Sequence, residues 1–429
     1  MAAPPPGPAM GAASLAVARR AAGRHLIVRN ATVRRIVAAG LVSGLGDRLT
    51  TVALATLVLA LTGSIAQTSL VYAASAAPYV LFGLVAGALV DRWDRRASMV
   101  RADLARAVLV LCIPWAAGVD APLVYALVFG VTCARIVFVP SQQAIVPELV
   151  APGDLTAANS LVRAAQYFTD LIGYPIAAGL VAVLVERLGP VQGTGVAFGL
   201  DALSFVGSAA ILRRLRTSAG PAEVRPRPER SLRREVATGV RFLLSHRYVR
   251  ANTVLLTLAP LLLASMNTLW IGFAWRVSHT DAFGFGVINS AMAAGVLLGT
   301  WLLQRATERV NKGRLILGSV ALFGVAVLLA GTTTSLWLAA LLAGVTGVAN
   351  IGFLVPSVTL VQQQTPPELR GRVLGVRLML TYAAFAVSNA AAGALSDRLG
   401  VETLMLWVGA ATIAMAGWAY ALPSLREAS

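Results

Sequence analysis

Apolar residues in this chain gather in long unbroken runs. They follow neither the alternation of a half-buried strand nor the one-sided stripe of a soluble helix. The runs fall at 34–61, 67–90, 98–118, 122–143, 157–185, 194–212, 250–275, 283–304, 314–332, 336–361, 369–394 and 402–422. About 20 mostly apolar residues cross the hydrocarbon core of a bilayer as a helix. Each run therefore predicts a membrane-spanning helix, and those longer than 20 residues predict tilt or extension into the headgroups. The expectation is an all-α membrane protein with twelve transmembrane helices.

The spacing between runs sets the organisation. Residues 1–30 are rich in Pro, Ala and Arg and lack the apolar stretch and cleavage site of a signal peptide, so they read as a disordered tail. Residues 31–212 form the first group of six spans and 250–423 the second, with a short tail at 424–429. Between the groups, 213–249 opens as a Pro- and Gly-containing linker. It then places Leu232, Val236, Val240, Leu243 and Leu244 at helical spacing among Arg233, Arg234 and Arg241. That pattern predicts an amphipathic helix lying on the membrane surface. The halves also echo one another. Pro140-Ser141 followed by Pro147-Glu148-Leu149 corresponds to Pro356-Ser357 followed by Pro367-Glu368-Leu369, and Gly87 has a counterpart in Gly299. Two pseudo-symmetric six-helix bundles, with a substrate site between them near the midplane, are the mark of secondary transporters.

Composition agrees with that picture and charge orients it. Of 429 residues 57% are hydrophobic and 13% charged, against about 45–50% and 25% in soluble domains. The net charge of +17 would suggest nucleic acid on a soluble surface. Here the basic residues fall on one side of the spans. The side holding the N-terminus carries Arg19, Arg20, Arg24, Arg29, Arg34, Arg35, Arg92, Arg95, Arg96 and Arg101. It also carries the arginines of 213–250, then Arg305, Arg309, Lys312, Arg314, Arg370 and Arg372. Only Arg187, Arg276 and Arg398 fall on the other side. The positive-inside rule then predicts two cytoplasmic termini, anionic lipid headgroups as the basic residues' partner, and no nucleic acid.

Enzymatic chemistry has little support. Cys112 and Cys133 lie in apolar runs, and His25, His246 and His279 are scattered, so no metal cluster or cofactor is expected. No nucleotide-binding P-loop occurs. The informative residues are charges inside the membrane: Asp47 and Arg48 in the first span, Arg135 in the fourth, Asp170 in the fifth and Asp201 in the sixth. An unpaired charge at the bilayer centre costs about 2.5–3.5 kcal/mol, so these five should face one another or a wet cavity. They make candidates for proton coupling, with Asp47 or Asp170 taking the proton and Arg135 tuning it. Asn267, Asn289, Asn350 and Asn389 of the second half are neutral groups suited to contacting substrate, and Tyr167, Tyr174 and Tyr382 could line its cavity.

One loop carries a signature. Gly87-Ala-Leu-Val-Asp91-Arg92-Trp93-Asp94-Arg95-Arg96 resembles the loop motif of the major facilitator superfamily, glycine followed by Asp-Arg and further basic residues. The resemblance implies the major facilitator fold and a latch in which Asp91 and the arginines close the cytoplasmic side. Asp94 stands where the family often has glycine. Ser43-Gly-Leu-Gly46-Asp47, Pro147-Glu148-Leu149 through Ala158-Asn159-Ser160-Leu161, and Glu368-Leu-Arg370-Gly371-Arg372-Val373 resemble the exporter branch related to the enterobactin exporter. Arg135 resembles that superfamily's helix-four arginine, without the glycines that usually follow. Gly173, Pro175 and Gly179 partly resemble its antiporter motif, with Tyr174 and Ala178 in place of two glycines. The implied activity is proton-coupled export of a small organic molecule (a drug, siderophore or secondary metabolite) by a monomer in the bacterial inner membrane. An importer or facilitator of the same fold, or a transporter-like sensor, stays open.

Overall fold

A computed structural model describes residues 30–90, 93–151, 154–215, 232–306 and 311–422. Its helices are α1 Ala31–Thr62, α2 Ile65–Val90, α3 Arg95–Ala117, α4 Ala121–Leu149, α5 Leu155–Leu188, α6 Pro190–Arg213 and α7 Leu232–Ser245. Then follow α8 Arg247–Leu263, α9 Ser265–Gly272, α10 Asp281–Ala306, α11 Lys312–Ala330, α12 Leu336–Gln364, α13 Pro367–Leu399 and α14 Val401–Tyr420. A wide π-helical turn, Phe273–Val277, prolongs α9, and α8 through this turn is one span, with a break after Pro260. Among the described residues, 11 helices are long and apolar enough to cross a membrane. Helix α3 is not among them, because Arg95, Arg96, Arg101, Asp103 and Arg106 crowd its first half.

The turns show why the helices end where they do. Asn30 caps α1, its side-chain oxygen accepting the N–H groups of Thr32 and Val33. Gly63 closes α1 at φ 63°, a left-handed turn that glycine enters without steric cost.

Contacts between helix ends define two faces. Asn30 at the start of α1 donates to Leu149 O at the end of α4, and Arg35 donates to Arg214 O just past α6. These ends share the arginine-rich face. The opposite, arginine-poor face joins the start of α4 to the start of α2 through Tyr125 Oη donating to Gln67 O.

Packing groups the helices in two sets. Helix α1 packs on α5 and α6, α3 on α4 and α6, and α2 on α4; α10 and α11 pack on α12, and α11 on α14. The sets meet along two seams, α2 against α13 and α5 against α10. Helix α7 contributes Leu243 to a small cluster with Val249 of α8, Val361 of α12, and Val373 and Val376 of α13.

Gly46 is the clearest case of a glycine that lets two helices touch. A Cβ there would collide with Asp201 Oδ1 and Ser204 Oγ of α6. Gly46→Val should cost about 1–3 kcal/mol of stability through overpacking, read as a lower melting temperature in detergent. Gly199→Ala, whose Cβ would meet nothing within 4 Å, should leave it unchanged.

Candidate functional site

A cavity of about 560 Å³ enters from the arginine-rich face. Its wall runs down α1 from Ile36 to Arg48, back along α4 from Arg135 to Gln143, and along α5 from Val162 to Asp170. Tyr79 and Gly83 of α2 with Arg106 of α3 complete that side, and Leu378 and Tyr382 of α13 come from the other set of helices. Tyr79 and Tyr382 stack across the α2–α13 seam with ring centroids 4.0 Å apart and planes 6° from parallel. A second cavity of about 130 Å³ lies among α1, α2, α3 and α4, walled by Thr50, Thr51, Thr68, Tyr72, Ser75 and Thr132. Asp47 and Arg135 line both spaces and so stand between them.

The charges of the first half fall into three groups. Asp47 sits between two guanidiniums, its Oδ1 3.7 Å from Arg106 Nη1 and its Oδ2 3.9 Å from Arg135 Nη1. Arg135 is 43% exposed and Asp47 19%, so this pair borders the cavity rather than the core. Arg48 pairs with Asp170 at 3.3 Å (Nε to Oδ1), and its Nη1 donates to Tyr174 Oη at 3.0 Å. The small residue Gly173 makes room for this arrangement, since a Cβ would press on Arg48 Cγ. Asp201 lies apart from both cavities, fully buried behind α1, accepting from Thr50 Oγ1 at 2.5 Å and Ser204 Oγ at 3.1 Å.

Two further charges escape the sequence reading. Asp103 and Arg106 of α3 form a buried ion pair one helical turn apart, and Arg106 also faces Asp47. Its guanidinium lies 4.7 Å from the Phe138 ring centre and 4.2 Å from that of Phe205. Two aromatic rings at this range offset part of the burial cost of the cation. The available signal was an Asp and an Arg at i, i+3, hidden among the basic residues that open α3. Arg377 of α13 is likewise buried, donating to Asn252 Oδ1 at 2.9 Å and Ser357 Oγ at 3.3 Å. Charge inside the membrane is therefore not confined to the first half.

Comparison with known proteins decides the identity. Residues 25–429 match the family described as transmembrane secretion effector, a branch of the major facilitator superfamily. The chain belongs to that family. It is 27% identical over 415 residues to the multidrug efflux pump Tap of Mycolicibacterium fortuitum, covering 91% of this chain and 96% of that one. It is 29% identical over 404 residues to Tap of Mycobacterium tuberculosis, covering 91% and 93%. The fold is similar to that of a bacterial homologue of the iron transporter ferroportin, with a TM-score of 0.73 at 17% identity and coverage of 90% and 98%. The protein is thus a multi-pass membrane transporter of the major facilitator superfamily and not an enzyme. The relatives named here are multidrug pumps, which does not specifically support the enterobactin branch.

The remaining expected site residues of this transporter distribute unevenly. Tyr167 and Tyr382 line the cavity, whereas Tyr174 is engaged by Arg48 outside its lining. The four asparagines expected to meet substrate do not line either cavity. Asn267 donates to Ala264 O and Asn289 to Phe285 O; Asn389 donates to Phe385 O and accepts from Thr268. Asn350 is half-buried within α12. Three of the amides are thus spent on neighbouring backbone, as buried polar groups require. In the loop signature Gly87 lies on α2, while Asp91 and Arg92 fall outside the described residues. Arg95 pairs with Glu148 and donates to Ala144 O of α4, and Arg96 donates to Leu215 O at 3.0 Å beyond α6. Cations at these carbonyl-rich helix ends are favourably placed. Helix α5 runs unbroken through Pro175, whose side chain is exposed, and Gly179 has open space where a Cβ would stand.

Proposed function

We propose that this transporter exports a small amphipathic organic molecule from the cytoplasm in exchange for protons. In this reading α3 also spans the bilayer, completing twelve helices, and the arginine-rich face is cytoplasmic with both termini. Residues 31–212 and 250–423 act as two bundles joined by 213–249, in a monomer of the bacterial inner membrane. The observation that carries the proposal is Asp47, held between Arg106 and Arg135 at the wall of the large cavity. The likeness to multidrug pumps supports a drug-like substrate, and the stacked Tyr79–Tyr382 pair offers it a flat aromatic surface.

The chemistry follows from charge balance. With Asp47 ionised, one carboxylate neutralises part of two neighbouring cations. A proton arriving on Asp47 removes that countercharge and leaves Arg135 facing the cavity uncompensated. In a medium of low dielectric this raises the energy of the open state and favours a rearrangement that re-pairs the cation. Substrate and proton then use the same wall in turn, which is what exchange requires. Asp170 with Arg48 is the second such pair, on the same cavity.

Everted membrane vesicles test the reading directly. Acidifying their interior should drive accumulation of a fluorescent amphipathic drug, and an uncoupler should release it. Accumulation insensitive to the uncoupler would indicate a facilitator, and drug driven out of the vesicles by the same gradient would indicate an importer.

A further inference from the structure

At the arginine-poor face a single carboxylate joins the two sets of helices. Asp397, at the end of α13, accepts from Ser64 Oγ at 2.8 Å, Ala66 N at 3.0 Å and Ile65 N at 3.3 Å. These groups form the start of α2, in the other half of the chain. Arg276, ending the seventh span, lies 2.8 Å from Asp397 Oδ1 and donates to Gly63 O at 3.0 Å. The carboxylate thus caps a helix to which it does not belong, where backbone N–H groups and the helix dipole favour an anion. Helix α2 has a local cap already, since Ser64 Oγ accepts from Gln67 N at 3.2 Å. The contact from Asp397 is additional, and it crosses the seam. One turn inward the seam is tight, because a Cβ on Gly393 would collide with Ser69 Oγ and Ala66 Cα.

The sequence around Asp397 sharpens the point. Gly393-Ala-Leu-Ser-Asp397-Arg398 matches Gly87-Ala-Leu-Val-Asp91-Arg92 at every position but the fourth. Residues 87–90 of the first copy end α2 at the arginine-rich face, and the second copy lies at the end of α13 at the arginine-poor face. The two helices pack along each other, so the Gly-Ala-Leu that opens each copy stands at opposite ends of one seam. Inverted structural repeats are how transporters build one device for each side of the membrane.

We propose that Asp397, with Arg276 and the N-terminus of α2, is the lock of the arginine-poor face, closed in the state seen here and broken when that face opens. The proposal rests on the transport reading, in which the two faces open alternately. It also makes Asp397 a positioning residue: it lines neither cavity, so its effect is on the balance of states rather than on binding.

Electron spin resonance distance measurement on the full chain in lipid nanodiscs tests this without a substrate or a gradient. Labels go on Val119→Cys and Thr334→Cys, exposed loops of the two halves at this face, in a Cys112→Ser/Cys133→Ser background. The parent protein should show chiefly the short distance. Asp397→Asn should raise the ratio of long to short distances about tenfold, the scale of losing charge-assisted hydrogen bonds. Arg276→Gln should raise it about threefold by the same reasoning. Should Asp397→Asn fail to purify, Arg276→Gln, which leaves the cap on α2 in place, decides alone. Distributions that superimpose on the parent's, with or without a lower melting temperature, would overturn the lock and leave a structural cap. The vesicle experiment above is independent, so absence of coupled export with an intact distance shift would remove proton exchange while leaving the alternate opening of the two faces, and with it the lock.

Discussion

Asp47→Asn is expected to reduce gradient-driven transport by at least about tenfold while leaving substrate binding within a few-fold of the parent. Asparagine keeps the shape and one acceptor oxygen but carries no charge and takes up no proton at ordinary pH. The substitution freezes the wall in a state resembling protonated Asp47, with Arg135 and Arg106 short of a countercharge on the cavity side. Proteoliposomes with an imposed pH gradient measure the transport, and equilibrium binding in detergent measures the affinity. Asp170→Asn is the companion, because Asp170 is the other cavity carboxylate and is 35% exposed beside Arg48. If both variants keep full gradient-driven transport, neither carboxylate couples it. Counterflow, which needs no gradient, should survive in either variant that still binds and moves substrate.

Arg106→Leu should produce the largest loss of stability. Its side chain is 3% exposed, pairs with the fully buried Asp103 and lies against two aromatic rings. Removing it strands a carboxylate in an apolar interior, which costs about 3–5 kcal/mol for a buried pair broken on one side. The double variant Asp103→Leu/Arg106→Leu should recover much of that loss, because no unpaired charge remains. Thermal unfolding of purified protein in detergent gives the comparison. A single variant no worse than the double would mean that Asp103 finds another partner or is protonated, and the buried pair would then not be the source of stability. The double variant should still lose coupling, since Asp47 would have lost one of its two cations.

How far the sequence reaches is clearest in α3 and α13. The apolar run 98–118 marks α3 as a span, yet its opening basic residues make it the one long helix of the first half that composition alone does not place in a membrane. Arg95, Arg96 and Arg101 read as a topology signal, and Asp103 and Arg106 beside them drew no reading of their own. In α13 the hexapeptide ending at Arg398 was legible as letters. Its meaning came only from finding the start of α2 beside it, more than 300 residues away in sequence. The asparagines of the second half make a related point, since Asn267, Asn289 and Asn389 each donate to a carbonyl of their own helix or the turn before it. A polar residue in a span must be satisfied, but the pattern along one helix does not tell whether a cavity or the neighbouring backbone satisfies it.

Sequence by itself determined the element type, 11 of the long apolar helices and the asymmetry of charge between the two faces. Each of these is a sum over neighbouring residues, so it survives without knowledge of packing. Tertiary structure alone decided that Asp47 stands between two arginines, that Asp201 is sealed behind α1, and that Asp397 meets the start of α2 and Arg276. Those outcomes depend on how each helix is rotated and which helix it meets. A rotation of half a turn would exchange cavity for core while leaving the hydropathy of the run unchanged.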